Sequence, residues 1–179
     1  MPELPEVELV AKSLNQLVSK RKIIFAELHR ERLAPDTNPS DFAQTLKDST
    51  INFVHRRGKH ILFDLDNQHT LLTHLRMTGR FMLLPIDREL PKHSHAIFYF
   101  SDETRLIFQD QRHFGLMKII ETAKLSEAKE INKLAPEPFS EEFSFTYFQK
   151  VLKTSKRSVK EFLLDQTKVC GLGNIYASE

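Results

Sequence analysis

Apolar residues first recur at helical spacing. Val7, Val10, Leu14, Leu17 and Val18 fall three or four apart, which predicts an amphipathic helix from about Pro5 to Ser19. Pro5 suits the first helical position, and Glu6 and Glu8 suit the positive end of the helix dipole. Ile23-Ile24-Phe25 is a short strand candidate. A polar loop through Pro35 and Pro39 follows, and Ser40 or Asp41 can cap a short helix ending near Leu46. The period then becomes that of strands. Ile51–Arg57, His60–Leu65 and Thr70–Leu75 read as antiparallel neighbours, with Asp66-Asn67 as the turn between the second and third. Arg80–Leu84, Ala96–Phe100, Arg105–Gln109 and Leu116–Ile120 continue the pattern, and Asp102-Glu103 is a further turn. Short strands this closely spaced predict an antiparallel sandwich or barrel.

Helical patterning returns from Leu125, interrupted at Ala135-Pro136-Glu137-Pro138. Ser140 is placed to cap a helix from about Glu141 to Leu152. Ser158–Leu164 reads as another, with Val159, Phe162 and Leu163 on one side. The expected class is α+β: an antiparallel β-sandwich with an N-terminal helix over residues 1–130, then a helical segment over residues 131–179. No internal repeat or low-complexity stretch is evident.

Composition narrows the function only a little. Of 179 residues, 40% are hydrophobic, enough for a core. Cys170 is the one cysteine, so neither a disulfide framework nor a cysteine-based zinc site is expected, and Cys170 reads as a small buried thiol. A formal charge of +2 permits nucleic-acid binding without arguing for it; local clusters of basic residues matter more. No apolar run is long enough to span a membrane, and the N-terminus is acidic, unlike a signal peptide. A soluble, cytoplasmic, monomeric protein is expected.

The most chemically suggestive residues come first. Initiator Met is usually trimmed before a small residue such as Pro2. Trimming leaves a secondary amine, and chain-terminal amines have a reference pKa of about 7.7–8.0. Such an amine can attack an electrophilic carbon near pH 7. With an aldehyde it forms an iminium, which is positively charged at any pH and serves as an electron sink. Glu3 and Glu6 flank it and can move protons. Read on local pattern alone, the same residues are simply a helix start.

Further motifs follow in order. His55-Arg56-Arg57-Gly58-Lys59-His60 concentrates positive charge at a turn, either as a solvated hairpin tip or as a phosphate clamp. His74-Leu75-Arg76-Met77-Thr78-Gly79 places a methionine at a strand end, ordinarily a core position. In Gln109-Asp110-Gln111-Arg112-His113-Phe114-Gly115, alternation puts Arg112 and Phe114 on one side of an extended segment. Lys153 to Lys160 is a basic segment opening a helix, a plausible phosphate site or a solvated face. Gly171-Leu172-Gly173-Asn174-Ile175-Tyr176-Ala177-Ser178-Glu179 suits a tight turn that presents backbone N–H groups.

These motifs, in this order and beginning with Met-Pro-Glu-Leu-Pro-Glu-Val-Glu, resemble those of bacterial formamidopyrimidine-DNA glycosylase along the whole chain. That family removes 8-oxoguanine and ring-opened purines from damaged double-stranded DNA and then cuts the strand. The resemblance implies that Pro2 attacks the sugar, that Glu3 is the general acid/base, that Glu6 supports the site and that Lys59 reaches into it. It implies that Met77 enters the gap left by the flipped nucleotide, that Arg112 and Phe114 engage the base opposite, and that His74 and Asn174 hold phosphates. Lys156 and Lys160 are further candidates for phosphate contact. The helical segment then reads as the first helices of a helix-two-turn-helix domain. The common family form has proline and a second arginine where this chain has Gln111 and His113.

Family members continue beyond the position matching Glu179, through the second half of the helix-two-turn-helix and a four-cysteine zinc finger. No zinc or other cofactor is therefore expected in this chain, and residues after about Val169 are expected to be frayed or exposed. The reading has rivals. One is a catalytically impaired fragment with weak non-specific DNA binding, recognised by steep salt dependence without strand cleavage. Another is the related branch acting on oxidised pyrimidines, which usually departs from Leu-Pro-Glu-Val and from the Met/Arg/Phe set. A third is an inert folding fragment, recognised by aggregation or by a monomer that binds no DNA. As a repair enzyme the protein is expected to work at the nucleoid.

Overall fold

The computed structural model describes residues 1–179 and realises both periods, with shifts at the ends of elements. Helix α1 (Leu4–Val18) buries Leu4, Val7, Ala11, Leu14 and Val18 at spacings of three and four. Leu17, on the flank of that stripe, is exposed. Glu3 is the residue before the first turn, and its N–H donates to Glu6 Oε2 at 2.9 Å. Pro5 therefore sits one position later than expected, still within the first turn where no N–H is needed.

Two other helix starts differ from expectation. Helix α2 (Pro39–Leu46) is capped by Asn38, whose Oδ1 accepts from the Asp41 N–H at 2.8 Å. Neither Ser40 nor Asp41 caps it, because Pro39 with its fixed φ opens the helix and puts the cap one residue earlier. Helix α3 (Phe145–Lys153) is capped by Ser144, not Ser140. The N–H and Oγ–H of Ser140 both donate to the Glu137 carbonyl, each at 2.9 Å, so Ser140 closes the preceding turn instead. Helix α4 (Val159–Leu164) starts at Ser158, with Glu161 completing a reciprocal cap. The segment near Leu125 is a 3₁₀ helix (Thr122–Glu127) rather than the start of a longer helix.

Eight strands form two antiparallel four-stranded sheets. The strands are β1 (Ile23–Leu28), β2 (Ile51–Arg57), β3 (His60–Leu65), β4 (His69–His74), β5 (Gly79–Pro85), β6 (Ser94–Phe100), β7 (Thr104–Asp110) and β8 (Leu116–Glu121). One sheet runs β1-β6-β7-β5 and the other β2-β3-β4-β8. The sandwich expected from strand spacing is present. The chain crosses between sheets after β1, after β4 and after β7. Helix α1 lies against β2 and α2 against β1. The main core joins both sheets to these two helices.

β3 and β4 are buried on both faces, which is why β3 reads as a nearly continuous apolar run, while β4 buries threonines and a histidine beside its two leucines. Leu62, Leu72 and Ile120 form a second, smaller cluster covered by Leu125, Ala128 and Ile131. At the margin of the main core, the partly buried Phe81 packs edge-on against Phe63 at 5.4 Å and against Phe108 at 5.2 Å between ring centroids. Phe108 also presses on two glycines. A Cβ on Gly79 would lie 2.8 Å, and one on Gly115 2.7 Å, from the Phe108 ring. Replacing Phe108 with Ala is expected to cost about 3–5 kcal/mol of stability, the range for deleting a fully buried aromatic, as read from the midpoint of urea unfolding.

Candidate active site

The site begins where α1 starts. The Leu4 N–H, one of the unpaired donors of the first turn, donates to the Gly171 carbonyl at 2.9 Å. Glu3 is 2% exposed. Its Oε2 accepts from the Gly173 N–H at 2.5 Å and its Oε1 from the Ile175 N–H at 2.9 Å. Glu6 reaches the same turn, since the Tyr176 hydroxyl donates to its Oε1 at 3.0 Å. Burial alone would raise the Glu6 pKa, but the Glu3 N–H and the Tyr176 hydroxyl more than offset it and hold the group below the usual range. The turn thus clasps the first helical turn across the whole length of the chain.

This contact explains both glycines. Gly171 has a φ of +97°, and a Cβ there would meet Leu4 Cδ1 at 2.4 Å. A Cβ on Gly173 would lie 2.7 Å from the Glu3 carboxyl carbon. The segment is not frayed after Val169 as expected. Val169, Cys170, Gly171 and Gly173 are buried, and exposure begins at Asn174. The reason is that Glu3 and Leu4 supply the partners for its backbone.

Beside the clasp lies a cavity of about 210 Å³. It is lined by Met1, Lys59, His60, His74, Arg76, Leu134, Leu164, Gln166, Leu172, Gly173 and Asn174. Lys59, His74 and Asn174, singled out far apart in sequence, therefore meet here, next to Glu3 and the half-buried Pro2. Lys59 is 5% exposed; burial pushes its pKa down, and neighbouring Arg76 acts the same way while Glu3 opposes. His74 accepts the Arg76 N–H at Nδ1, 3.0 Å away. That bond fixes the neutral tautomer and leaves Nε2–H as its free donor. Burial lowers His60 to about 4 and His74 to about 3, so both rings are uncharged near neutrality. The rings meet edge-on at 4.8 Å. His60 Nδ1 is buried without a partner. The cavity offers cationic and N–H donors to an anion, with a carboxyl group alongside, the combination that phosphate recognition and proton transfer require.

The phosphate-clamp reading of Arg56 and Arg57 does not hold. Arg56 donates to Glu8 and to Glu137, each at 2.7 Å, and Arg57 donates to Glu137 at 3.0 Å and to the Leu134 and Ala135 carbonyls. Glu137 also accepts the Gly58 N–H at 2.7 Å. The turn is thus neither a solvated tip nor a free cationic patch; its arginines are spent anchoring the segment that carries Glu137. Burial raises the Glu137 pKa, but the Gly58 N–H and both arginines outweigh it and keep the group low. Cys170 lies beside Arg57, and burial pushes its thiol up, as befits an inert side chain.

A second group sits on the surface apart from the cavity. Met77 occupies a turn in which Arg76 has a φ of +55°, and Gly79 is required because a Cβ there would lie 2.4 Å from the Leu75 carbonyl. The neighbouring loop carries Arg112 and Phe114, with the guanidinium 5.1 Å from the ring centroid. The two come together, but not by alternation along an extended segment: 111–113 form a turn and His113 has a left-handed φ of +61°. Met77 and Phe114 are exposed apolar side chains. The Arg112 N–H donates to Thr78 Oγ1 at 3.0 Å, tying loop to turn.

Asp110 and Glu137 are functional supports that the sequence reading missed. The Asp110 carboxylate accepts from Thr78 Oγ1 at 2.5 Å, from the Gly115 N–H at 2.6 Å and from the Arg112 N–H at 3.2 Å. Burial would raise its pKa, but these donors hold it below the usual range. An aspartate five residues before a glycine in a polar loop was the available signal. Lys156 and Lys160 do not reach the cavity. Lys156 lies with Arg157 and Lys168 around a separate hollow, and Lys160 donates to Ser178 at 2.9 Å. No three His, Cys, Asp or Glu side chains are grouped so as to hold a metal ion.

The family model for the N-terminal domain of formamidopyrimidine-DNA glycosylase matches residues 1–117, and that for its H2TH domain matches residues 134–179. The chain belongs to the formamidopyrimidine-DNA glycosylase family. It is 44% identical to the formamidopyrimidine-DNA glycosylase of Listeria monocytogenes over 179 residues, covering all of this chain and 65% of that one. The Lactococcus lactis Fpg in complex with DNA containing an abasic site is similar in structure, with a TM-score of 0.93, 36% identity, and coverage of 99% of this chain and 65% of that one. A complex of the same Lactococcus protein with DNA containing N7-benzyl-Fapy-dG gives the same score and identity. The chain thus spans about 65% of the length of the relatives it matches.

Two outcomes follow from this geometry. His60 and His74 are lowered on folding, so the unfolded chain binds more protons below pH 6.5, and their contribution to stability is complete above that value and lost on acidification. Unfolding free energy is expected to fall by up to about 1.4 kcal/mol per pH unit for each histidine between roughly pH 6 and 4.5, as read by urea unfolding at a series of pH values. Replacing Glu137 with Ala leaves the Gly58 N–H and two arginines without their acceptor. It is expected to cost about 2–3 kcal/mol, the scale of losing charge-assisted hydrogen bonds in a half-buried network, measured the same way.

Proposed function

We propose that the chain carries the catalytic half of a bifunctional DNA glycosylase and abasic-site lyase acting on oxidised and ring-opened purines. The observation that carries this reading is the clasp: the Glu3 carboxyl group is pinned by the Gly173 and Ile175 N–H groups at the edge of a cavity lined by Lys59, His74 and Asn174. The relatives bound to abasic and Fapy-containing DNA support the choice of substrate.

With Met1 removed, the Pro2 nitrogen lone pair forms a bond to the sugar C1′. The bond from C1′ to the damaged base breaks, and the base leaves with that electron pair and takes up a proton. Glu3 delivers a proton to the ring oxygen as the sugar opens, giving an iminium between Pro2 and C1′. The iminium draws electrons from C2′ once its proton is lost. The 3′ phosphate leaves by β-elimination and the 5′ phosphate by δ-elimination, and hydrolysis frees Pro2. Glu6 holds the first turn through the Glu3 N–H and Tyr176. Lys59 places its cation, and His74 its Nε2–H, against backbone phosphate or the lesion; Asn174 at the cavity wall takes another phosphate. Met77 fills the vacated space in the stack, and Arg112 and Phe114 meet the base opposite, which offsets part of the few kcal/mol that unstacking costs. Lys156 and Lys160 add sequence-independent attraction further along the duplex. Residues 1–130 supply the chemistry and residues 131–179 the clasp and much of the phosphate grip.

Borohydride tests this by reducing the iminium to a permanent bond. The purified chain, with Met1 absent by mass spectrometry, is expected to form a covalent adduct at Pro2 on a duplex with an abasic site, and on one with 8-oxoguanine opposite cytosine. Glu3→Gln is expected to slow adduct formation about a hundredfold or more. An adduct on the abasic duplex alone would restrict the chain to lyase chemistry. Absence of adduct on both would overturn the enzymatic reading and leave a DNA-binding or inert chain.

A further inference from the structure

The loop that carries Arg112 and Phe114 rests on a group of histidines that the chemistry above does not use. His113, between those two residues, is exposed and has a φ of +61°. That left-handed conformation is uncommon for a residue with a side chain and needs support from its surroundings. The support comes from the imidazole. His113 Nδ1 lies 2.8 Å from Nε2 of His95, which is buried at the start of β6. The two rings are 4.9 Å apart, and His93, at a φ of +64°, meets the other side of His113 at 5.4 Å.

The protons of this contact can be assigned. His95 Nε2 also lies 2.8 Å from the Asp110 backbone carbonyl, which only accepts. His95 Nε2 therefore carries the hydrogen. His113 Nδ1 must then accept from that same N–H, so its own proton sits on Nε2 and the ring is neutral. Charging His113 places an N–H on Nδ1, directly facing the N–H of His95. Donor meets donor, and the contact is lost.

The surroundings reinforce this. Arg30 packs near His95 from the end of β1, with its Nε buried and unpartnered. His93 meets His113 from the turn before β6, and Arg112 adjoins it in the loop itself; Lys92 and Arg80 line a neighbouring hollow with His93. The one anion is the Asp110 carboxylate, and its bonds go to Thr78, Arg112 and Gly115 rather than to either histidine. Burial holds His95 itself below the usual imidazole range, and His113 and Arg30 push the same way.

We propose that His113, through its hydrogen bond to buried His95, is a positioning residue for Arg112 and Phe114, and that it holds them in place only while it is uncharged. This rests on the DNA-engagement reading for its consequence but not for its geometry. Engagement of a flipped-nucleotide duplex is set by Arg112 and Phe114 being presented together, so protonation of His113, which sets donor against donor, loosens that presentation.

The test has one arm without DNA and one with it. In the DNA-free arm, long-range ¹⁵N–¹H NMR reads the tautomer of each histidine, and the amide signals of Arg112, Phe114 and Gly115 are followed from pH 8 to 5. The expected result is His113 protonated on Nε2 alone at pH 8, and loop amides that move with the same midpoint as the His113 ring. In His113→Asn, whose side-chain oxygen replaces the Nδ1 acceptor without titrating, the loop amides stay fixed. In His113→Leu, which lacks an acceptor, they are displaced at every pH. A proton on His113 Nδ1 at pH 8, or loop amides that titrate identically in His113→Asn, would overturn the proposal. In the DNA arm, affinity for a duplex containing a tetrahydrofuran abasic analogue is expected to fall about three- to tenfold more between pH 7.5 and 5.5 in the unmodified chain than in His113→Asn, the scale of one hydrogen bond. Equal falls in both would overturn the link between His113 and engagement. Failure to bind the duplex even at pH 7.5 would count against the proposed function, while the loop amides still decide the positioning role.

Discussion

Everything at the cavity depends on a contact between two short pieces of backbone at opposite ends of the chain. The first turn of α1 has donors with no partner in the helix, and the turn at Gly171–Ile175 has both a carbonyl and N–H groups to place. Each meets the other's need: Leu4 donates to Gly171, and Glu3 accepts from Gly173 and Ile175. Two glycines let the backbones approach this closely. The same bonds that complete the helix start fix the position of the carboxyl group nearest Pro2. Structure and chemistry are here served by one set of hydrogen bonds.

A second set reinforces the first from the side. Glu137 gathers Arg56, Arg57 and the Gly58 N–H, so the turn leading into Lys59 is held against the helical segment. These arginines are neutralised where they stand. The cavity's available positive charge therefore resides in Lys59 and Arg76, while its histidines are kept neutral by burial. A cavity with two cations and neutral N–H donors is favourable to an anion.

The strands were legible because period-two patterning survives wherever one face is buried, and the expected neighbours β2, β3 and β4 do pair. The helix starts were less legible. Several polar residues competed for each cap, and Pro39 and the Ser140–Glu137 turn decided between them. At the site, Glu3, Lys59, His74 and Asn174 were visible as motif residues and do converge. Glu137 was not visible, because its worth lies in partners elsewhere in the chain: Glu137 and Gly58 are 79 residues apart; Asp110 was missed although two of its partners, Arg112 and Gly115, lie within five residues. The charge run at Arg56-Arg57 was misread for the same reason, since Glu8 and Glu137 come from other segments.

The ring of Phe108 touches the positions of both Gly79 and Gly115, and these glycines flank the turn of Met77 and the loop of Phe114. One buried aromatic is thus the common footing of two separate surface projections. Their spacing is set from below, like two teeth on a single root, and the Thr78–Arg112 bond braces them above. The two projections are accordingly coupled through one buried ring and one hydrogen bond. A substitution confined to the interior, touching no exposed atom, would change the gauge at which the surface meets a partner.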